Sequence, residues 1–270
     1  MKTVWIRNFV VGLPVLISSC ATSPMGRSQL MLNSDSQMSQ MGSQSFEELK
    51  KKTPIETDPK MNEYVKCVAS HITNAAREKL QVDQWEIVVF KDQSANAFAL
   101  PGGKIGVHTG ILSVAKTDAQ LAAVLGHEVG HVIAKHGNER VSQGEGTQLA
   151  LQVADWASGN LSPLKKEALM ASLGLGAQYG ILLPFSRAQE SEADLIGLDL
   201  MAEAGFDPRQ SVELWKNMSQ AGGNKPAQWM STHPSDETRM GALQDQIPNA
   251  MGKYEAARAA DRTPHCVLSK

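Results

Sequence analysis

The residue types best suited to chemistry are gathered in one pentapeptide, His127-Glu128-Val129-Gly130-His131. Residues four apart on an α-helix differ by only about 40° in direction, so both imidazoles leave one face and can hold a single metal ion. Neutral imidazoles hold zinc at about 2.0–2.1 Å and leave a position for a water, whose pKa then falls towards about 7. Glu128 lies about 100° around the helix from His127. From there its carboxylate can take the water's proton and deliver it to a leaving amine. The competing reading is a set of polar helix residues satisfied by their neighbours, which would bury several polar groups in an otherwise apolar helix for no evident gain.

A catalytic zinc site needs a third protein ligand. His136 follows His131 by only five residues and reads as a polar or structural helix-end residue. Further along, Ser186-Arg187-Ala188-Gln189 forms a capping box just after Pro184. It opens a helix with Leu195, Leu198 and Met201 on its apolar side and Gly205 at its end. Glu190 and Asp194 share a face of that helix, while Glu192 points about 200° away from Glu190. Glu190 can ligate zinc, and Asp194 can accept the outer N–H of a ligand histidine and fix its orientation. Without the upstream pentapeptide, the same carboxylates read as a solvated helix face.

These groups need elements to hold them. Thr117-Asp118-Ala119-Gln120 fits a capping box, and Leu121, Val124, Leu125, Val129 and Val132 continue at helical spacing until Gly137 offers a stop. Gly126 and Gly130 each cost about 0.8–1.0 kcal/mol relative to Ala inside a helix, so they imply a close backbone approach. Met61 to Leu80 reads as an amphipathic helix, and Trp85 to Phe90 as a strand. Ala97–Leu100, Pro101-Gly102-Gly103 and Lys104–Thr109 suggest strand, turn and strand. The Lys104–Thr109 strand is a candidate edge for an extended substrate. Leu149–Trp156 and Leu164–Leu183 read as core or as helices gating the cleft, and His108 as a packed or exposed residue outside the ligand set.

The whole chain has 270 residues, 26 Lys plus Arg against 28 Asp plus Glu, and 42% hydrophobic residues, which is globular composition. A net charge of −2 with mixed signs offers no basic field for nucleic acid. Lys2 and Arg7 precede an apolar run from Phe9 to Ile17, the pattern of an export signal and too short to span a bilayer. Leu16-Ile17-Ser18-Ser19-Cys20 resembles a bacterial lipobox, which implies cleavage before Cys20 and its acylation. The following Ala21 favours the outer membrane; an ordinary secretory signal is the alternative. The expected organisation is a signal over 1–19, a flexible tether over 20–45 rich in Ser, Gln, Met and Gly, and one domain over 46–270. Cys67 and Cys266 remain as an even pair in an oxidising compartment, either bridged or as free thiols.

His127-Glu128-Val129-Gly130-His131 with Ser186 to Asp194 resembles the paired motif of the CAAX-prenyl-protease-type zinc metallopeptidases, which include the HtpX-like and Oma-type proteases. Asn96 to Gly103 resembles the family's strand and turn before the active-site helix, and Thr232-His233-Pro234-Ser235 with Arg239 its C-terminal His-Pro element. The resemblance covers roughly 61–241. It implies His127, His131 and Glu190 on one zinc ion, Glu128 as general base, and Asp194 in a catalytic or orienting role. It also implies a mainly helical α+β fold with a small sheet beside the active-site helix. No apolar span of about 20 residues is present, so the chain resembles the periplasmic lipoprotein branch. His233 can stabilise an oxyanion, occupy the fourth zinc position, or be structural. Arg239 reads as an ion-pair partner or a substrate clamp. The expected function is hydrolysis of unfolded or misassembled envelope proteins from the periplasmic face of the outer membrane, with a scaffold at an outer-membrane assembly machine as the alternative.

Overall fold

A helix that is apolar on all sides must be covered on all sides, and the architecture supplies that cover for the 118–133 segment. The protein is described by a computed structural model over residues 20–80, 82, 84–157, 185–221, 229, 233 and 237–268. In it, every residue from Ala119 to His131 is buried. The elements run β1 (Cys20–Thr22), β2 (Ser28–Leu30), α1 (Asp35–Lys52), α2 (Pro59–Ala75), β3 (Glu86–Phe90), β4 (Ala97–Leu100) and β5 (Lys104–His108). A 3-10 turn (Thr109–Ser113) follows, then α3 (Asp118–Ile133), α4 (His136–Ala157), α5 (Arg187–Glu203), α6 (Gln210–Ala221) and α7 (Glu237–Ala259). This is the mainly helical α+β arrangement expected, and no helix among the described residues is long and apolar enough to cross a membrane.

Thr117 caps α3, its hydroxyl accepting the Gln120 N–H at 3.2 Å. The helix stops earlier than Gly137: Lys135 takes a left-handed φ of 54°, and α4 restarts the chain at His136. That reversal carries His136 back towards His131. Ser186 and Gln189 form the expected reciprocal box at the start of α5. Helices α3 and α5 then cross backbone against backbone. A Cβ on Gly126 would stand 2.7 Å from the Gly197 carbonyl oxygen, and one on Gly130 2.8 Å from that of Ala193. Gly197→Ala would place its methyl 2.6 Å from the His127 nitrogen. We expect that variant to lose about 1–3 kcal/mol of stability, the usual overpacking cost, read from its denaturant midpoint. An unchanged midpoint would show that the crossing can widen freely.

The three-stranded sheet has the order β3-β5-β4, with β3 parallel and β4 antiparallel to β5. The Lys104–Thr109 strand is therefore central, not the edge that the sequence suggested. Gly102 and Gly103, at φ 85° and 73°, fold β4 back along one side of β5, and β3 takes the other. The outer side of β3 is partly covered in turn: Ile55 bridges Phe90, Glu56 N–H donates to Val89 O, and Lys91 N–H donates to Pro54 O. The outward edge lies on β4.

The flexible tether expected over 20–45 is folded. Residues 20–22 pair antiparallel with 28–30, and Ser34 with Gln37 caps α1, which already begins at Asp35. The body thus starts well before Phe46. Helix α1 buries only Met38, Gly42 and Phe46, and a Cβ on Gly42 would stand 2.2 Å from Pro101 O, so packing there is tight. Cys67 and Cys266 form a disulfide with a Cα–Cα distance of 5.7 Å. It ties the C-terminal segment to α2 across 199 residues of sequence. In the chain-entropy account such a loop is worth on the order of 5 kcal/mol. The signal segment 1–19, the stretch from Leu164 to Leu183, and Thr232, Pro234 and Ser235 lie outside the described residues.

Candidate metal centre

The α3–α5 crossing brings His127 and His131 against Glu190, and His233 reaches the same point. One ligand atom from each of these four side chains lies within 4.8 Å of every other, and all four residues are buried. His131 Nε2 is 3.0 Å from His127 Nε2 and 3.4 Å from Glu190 Oε1. His127 Nε2 is 3.5 Å from Glu190 Oε2. His233 Nδ1 stands 2.9 Å from Glu190 Oε1 and 3.2 Å from His127 Nε2. Glu128 sits alongside, its Oε1 accepting the Trp229 indole N–H at 2.6 Å and lying 3.5 Å from His233 Nε2.

Each helix histidine is fixed from behind, which sets its tautomer. His127 Nδ1 donates to Asp194 Oδ1 at 2.9 Å, so its Nε2 faces the cluster as an acceptor. Asp194 in turn accepts from Arg239 Nε at 2.7 Å and Nη2 at 2.8 Å. Behind His131 stands His136, whose Nε2 donates to Glu192 Oε2 at 3.1 Å. Its Nδ1 therefore accepts from His131 Nδ1 at 2.9 Å, and His131 also turns an acceptor Nε2 inwards. Two imidazole lone pairs 3.0 Å apart repel unless a cation or proton lies between them. Glu190 Oε2 is 2.7 Å from Arg239 Nη1, yet no described group hydrogen-bonds it. Lone pairs on two imidazoles and a buried carboxylate fit a borderline-soft divalent ion such as zinc.

The electrostatics agree. Burial disfavours a charged His127, but Asp194 and Glu190 outweigh it and raise the imidazole to about 9. Burial pushes His131 well below the usual histidine range, against the pull of Glu190. Glu190 is held below the ordinary carboxylate range because its contacts with His127, His131 and His233 overcome burial. The buried carboxylates of Glu190 and Asp194 thus draw positive charge to the point where the histidine rings meet.

Sequence reasoning placed His127, Glu128, His131, Glu190, Asp194, His233 and Arg239 here, and the structure brings them together. Arg239 is buried between two carboxylates and stacks over Trp215 at 4.6 Å, an ion-pair position rather than a substrate clamp. Trp229 and Phe185, stacked on the rings of His233 and His131, carried no sequence signal. Glu192, read as pointing away, is buried and holds His136; the α4 restart, invisible in the sequence, puts that partner on its far side. His108 is apart, bonded to Ser94.

Residues 59–247 match Peptidase family M48. This chain belongs to that family. Among its relatives, a mitochondrial metalloendopeptidase OMA1 from Schizosaccharomyces pombe is 40% identical over 176 residues, covering 64% of this chain and 50% of that protein. The human mitochondrial metalloendopeptidase OMA1 is 32% identical over 241 residues, 84% of this chain and 45% of the relative. A Beta-barrel assembly-enhancing protease from Escherichia coli is 28% identical over 233 residues, 84% and 47% respectively. The chain spans about half the length of these relatives. M48 membership places the chain in a peptidase family, and these relatives carry the names of metalloendopeptidases and of a protease.

Proposed function

We propose that this chain is a zinc-dependent endopeptidase of the bacterial envelope, hydrolysing peptide bonds in unfolded or misassembled exported and outer-membrane proteins. The convergence of His127, His131 and Glu190 with Glu128 beside them carries the reading. Bound zinc supplies Lewis acidity, lowering the pKa of a water and polarising the scissile carbonyl. Glu128 takes the water's proton and passes it to the leaving amine. Asp194 and His136 keep both ligand imidazoles in the tautomer that faces inwards. His233, with Trp229 stacked behind it, is placed to donate to the developing oxyanion. The outward edge of β4 can take an extended substrate by backbone pairing, which selects for unfolded chains over particular sequences.

The envelope assignment and a lipid anchor on Cys20 rest on the export pattern of residues 1–20 and on the name of the Escherichia coli relative. Elemental analysis of the purified chain, with digestion of an unfolded protein followed in parallel, tests the enzymatic reading. We expect equimolar zinc and digestion abolished by a chelator and restored by zinc; digestion indifferent to chelation would overturn it.

One observation favours a self-closed resting form. Trp229 donates its backbone N–H to Ala95 O and its indole N–H to Glu128, while His233 contacts Glu190, so residues 229 and 233 engage the base, a ligand and the approach to β4 together. If His233 holds the site shut, His233→Ala will raise digestion. If its main role is at the oxyanion, the same variant will lower digestion, by about 10²-fold or more.

A further inference from the structure

The β1–β2 hairpin is bonded into the back of the metal centre through Arg27, in the turn between its strands. Arg27 Nη1 and Nη2 each lie 2.7 Å from an oxygen of Glu139, and Nη2 and Nε lie 3.2 and 3.3 Å from Glu192 Oε2. Met25 N–H donates to the other Glu192 oxygen at 3.0 Å. The hairpin and the residues after it are held by more than this side chain: Gln29 donates to Ala134 O at the end of α3 at 2.8 Å and to Glu139 of α4 at 3.0 Å, and Leu32 N–H donates to Ser142 of α4 at 2.8 Å.

From the two carboxylates, hydrogen bonds lead to two metal-facing groups. Glu192 accepts from His136, and His136 accepts from His131. Glu139 accepts the Gln189 side-chain N–H at 2.9 Å, and Gln189 is the residue next to Glu190, in the capping box that starts α5. Glu139 and Glu192 are each 4% exposed, so their shared guanidinium is what lets two buried carboxylates stand side by side. Burial opposes their charge, and Arg27 helps to hold Glu139 below the ordinary carboxylate range. The far side of the site has the same plan, His127 to Asp194 to Arg239.

We propose that Arg27 is a positioning residue for the metal centre, so that the N-terminal hairpin, through Glu192–His136 and Glu139–Gln189, sets the aim of His131 and Glu190. Without the guanidinium the carboxylates repel, Glu192 leaves His136, and His131 loses the acceptor that fixes its ring. This inference rests on the zinc-site reading, and the two can fail separately.

The test is zinc affinity of the full-length chain by chelator competition, for wild type, Arg27→Ala, His136→Ala and the double variant. Arg27→Ala should weaken zinc about 10-fold, the lower end of what outer partners of metal ligands contribute, with helical circular dichroism unchanged. Digestion should recover at saturating zinc. The double variant should be weaker by clearly less than the product of the single effects, because both residues act along one chain. Wild-type affinity in folded Arg27→Ala, or effects that multiply to within about twofold, would overturn the proposal. Should Arg27→Ala not fold, Arg27→Gln keeps hydrogen-bond donors and removes the charge between the two carboxylates, and wild-type affinity there overturns it equally. Wild-type chain that binds no zinc would instead remove the site reading beneath it.

Discussion

Glu128→Gln is expected to lower digestion of an unfolded protein by about 10²–10⁴-fold while leaving zinc content unchanged. The side chains are nearly isosteric, and a glutamine oxygen can still accept the Trp229 indole N–H that Glu128 accepts at 2.6 Å. The hydrogen bonds that fix His127 and His131 run through Asp194 and His136, and none passes through Glu128. The substitution therefore isolates the proton acceptor from the ligand set. Digestion and elemental analysis on the same sample separate the outcomes. A drop of less than about tenfold would mean that another group takes the proton. Full rescue of a deletion phenotype by this variant would support the scaffold reading, in which hydrolysis is dispensable.

The site was largely legible because its parts sit on two helices whose periodicity fixes direction. Four-residue spacings put His127 with His131 and Glu190 with Asp194, and Gly126 and Gly130 announced a close approach that proved to be α5. What stayed hidden depends on chain reversals. Lys135 in a left-handed conformation turns His136 back to His131, and nothing in a row of side-chain types distinguishes that from a helix continuing to Gly137. Once His136 has turned, Glu192 has a partner, although helical geometry alone directs it away from Glu190. The same holds at the N-terminal end of the body. Residues 20–45 are polar enough to read as linker, because α1 buries just two side chains, Met38 and Phe46, and the hairpin segment is held largely by hydrogen bonds to the end of α3 and to α4. Sheet order was likewise inaccessible, since β5 and β4 alternate no differently whether central or at an edge. Parity left Cys67 and Cys266 either bridged or free, and only the fold, by bringing α2 and the C-terminal segment together, decides for the disulfide.

Glu190→Ala should remove both zinc and digestion, and its effect should exceed the roughly 10–100-fold typical of outer-shell changes. Glu190 is fully buried, and its two oxygens face His127, His131, His233 and Arg239. Taking it away leaves two imidazoles and His233 with no anionic ligand. Arg239 keeps its bonds to Asp194, so the apo protein should not suffer the full 3–5 kcal/mol or so of a buried ion pair broken outright. The decisive readout is the thermal shift on adding zinc. A ligand that binds only the native state stabilises it by about 4 kcal/mol at 1,000 times its dissociation constant, and wild type should show that shift. The variant should melt at one temperature with or without zinc. A preserved shift at wild-type affinity would remove Glu190 from the ligand set. His233, with Nδ1 only 3.2 Å from His127 Nε2, would then be the third ligand, and its bond to Glu190 a means of aiming it.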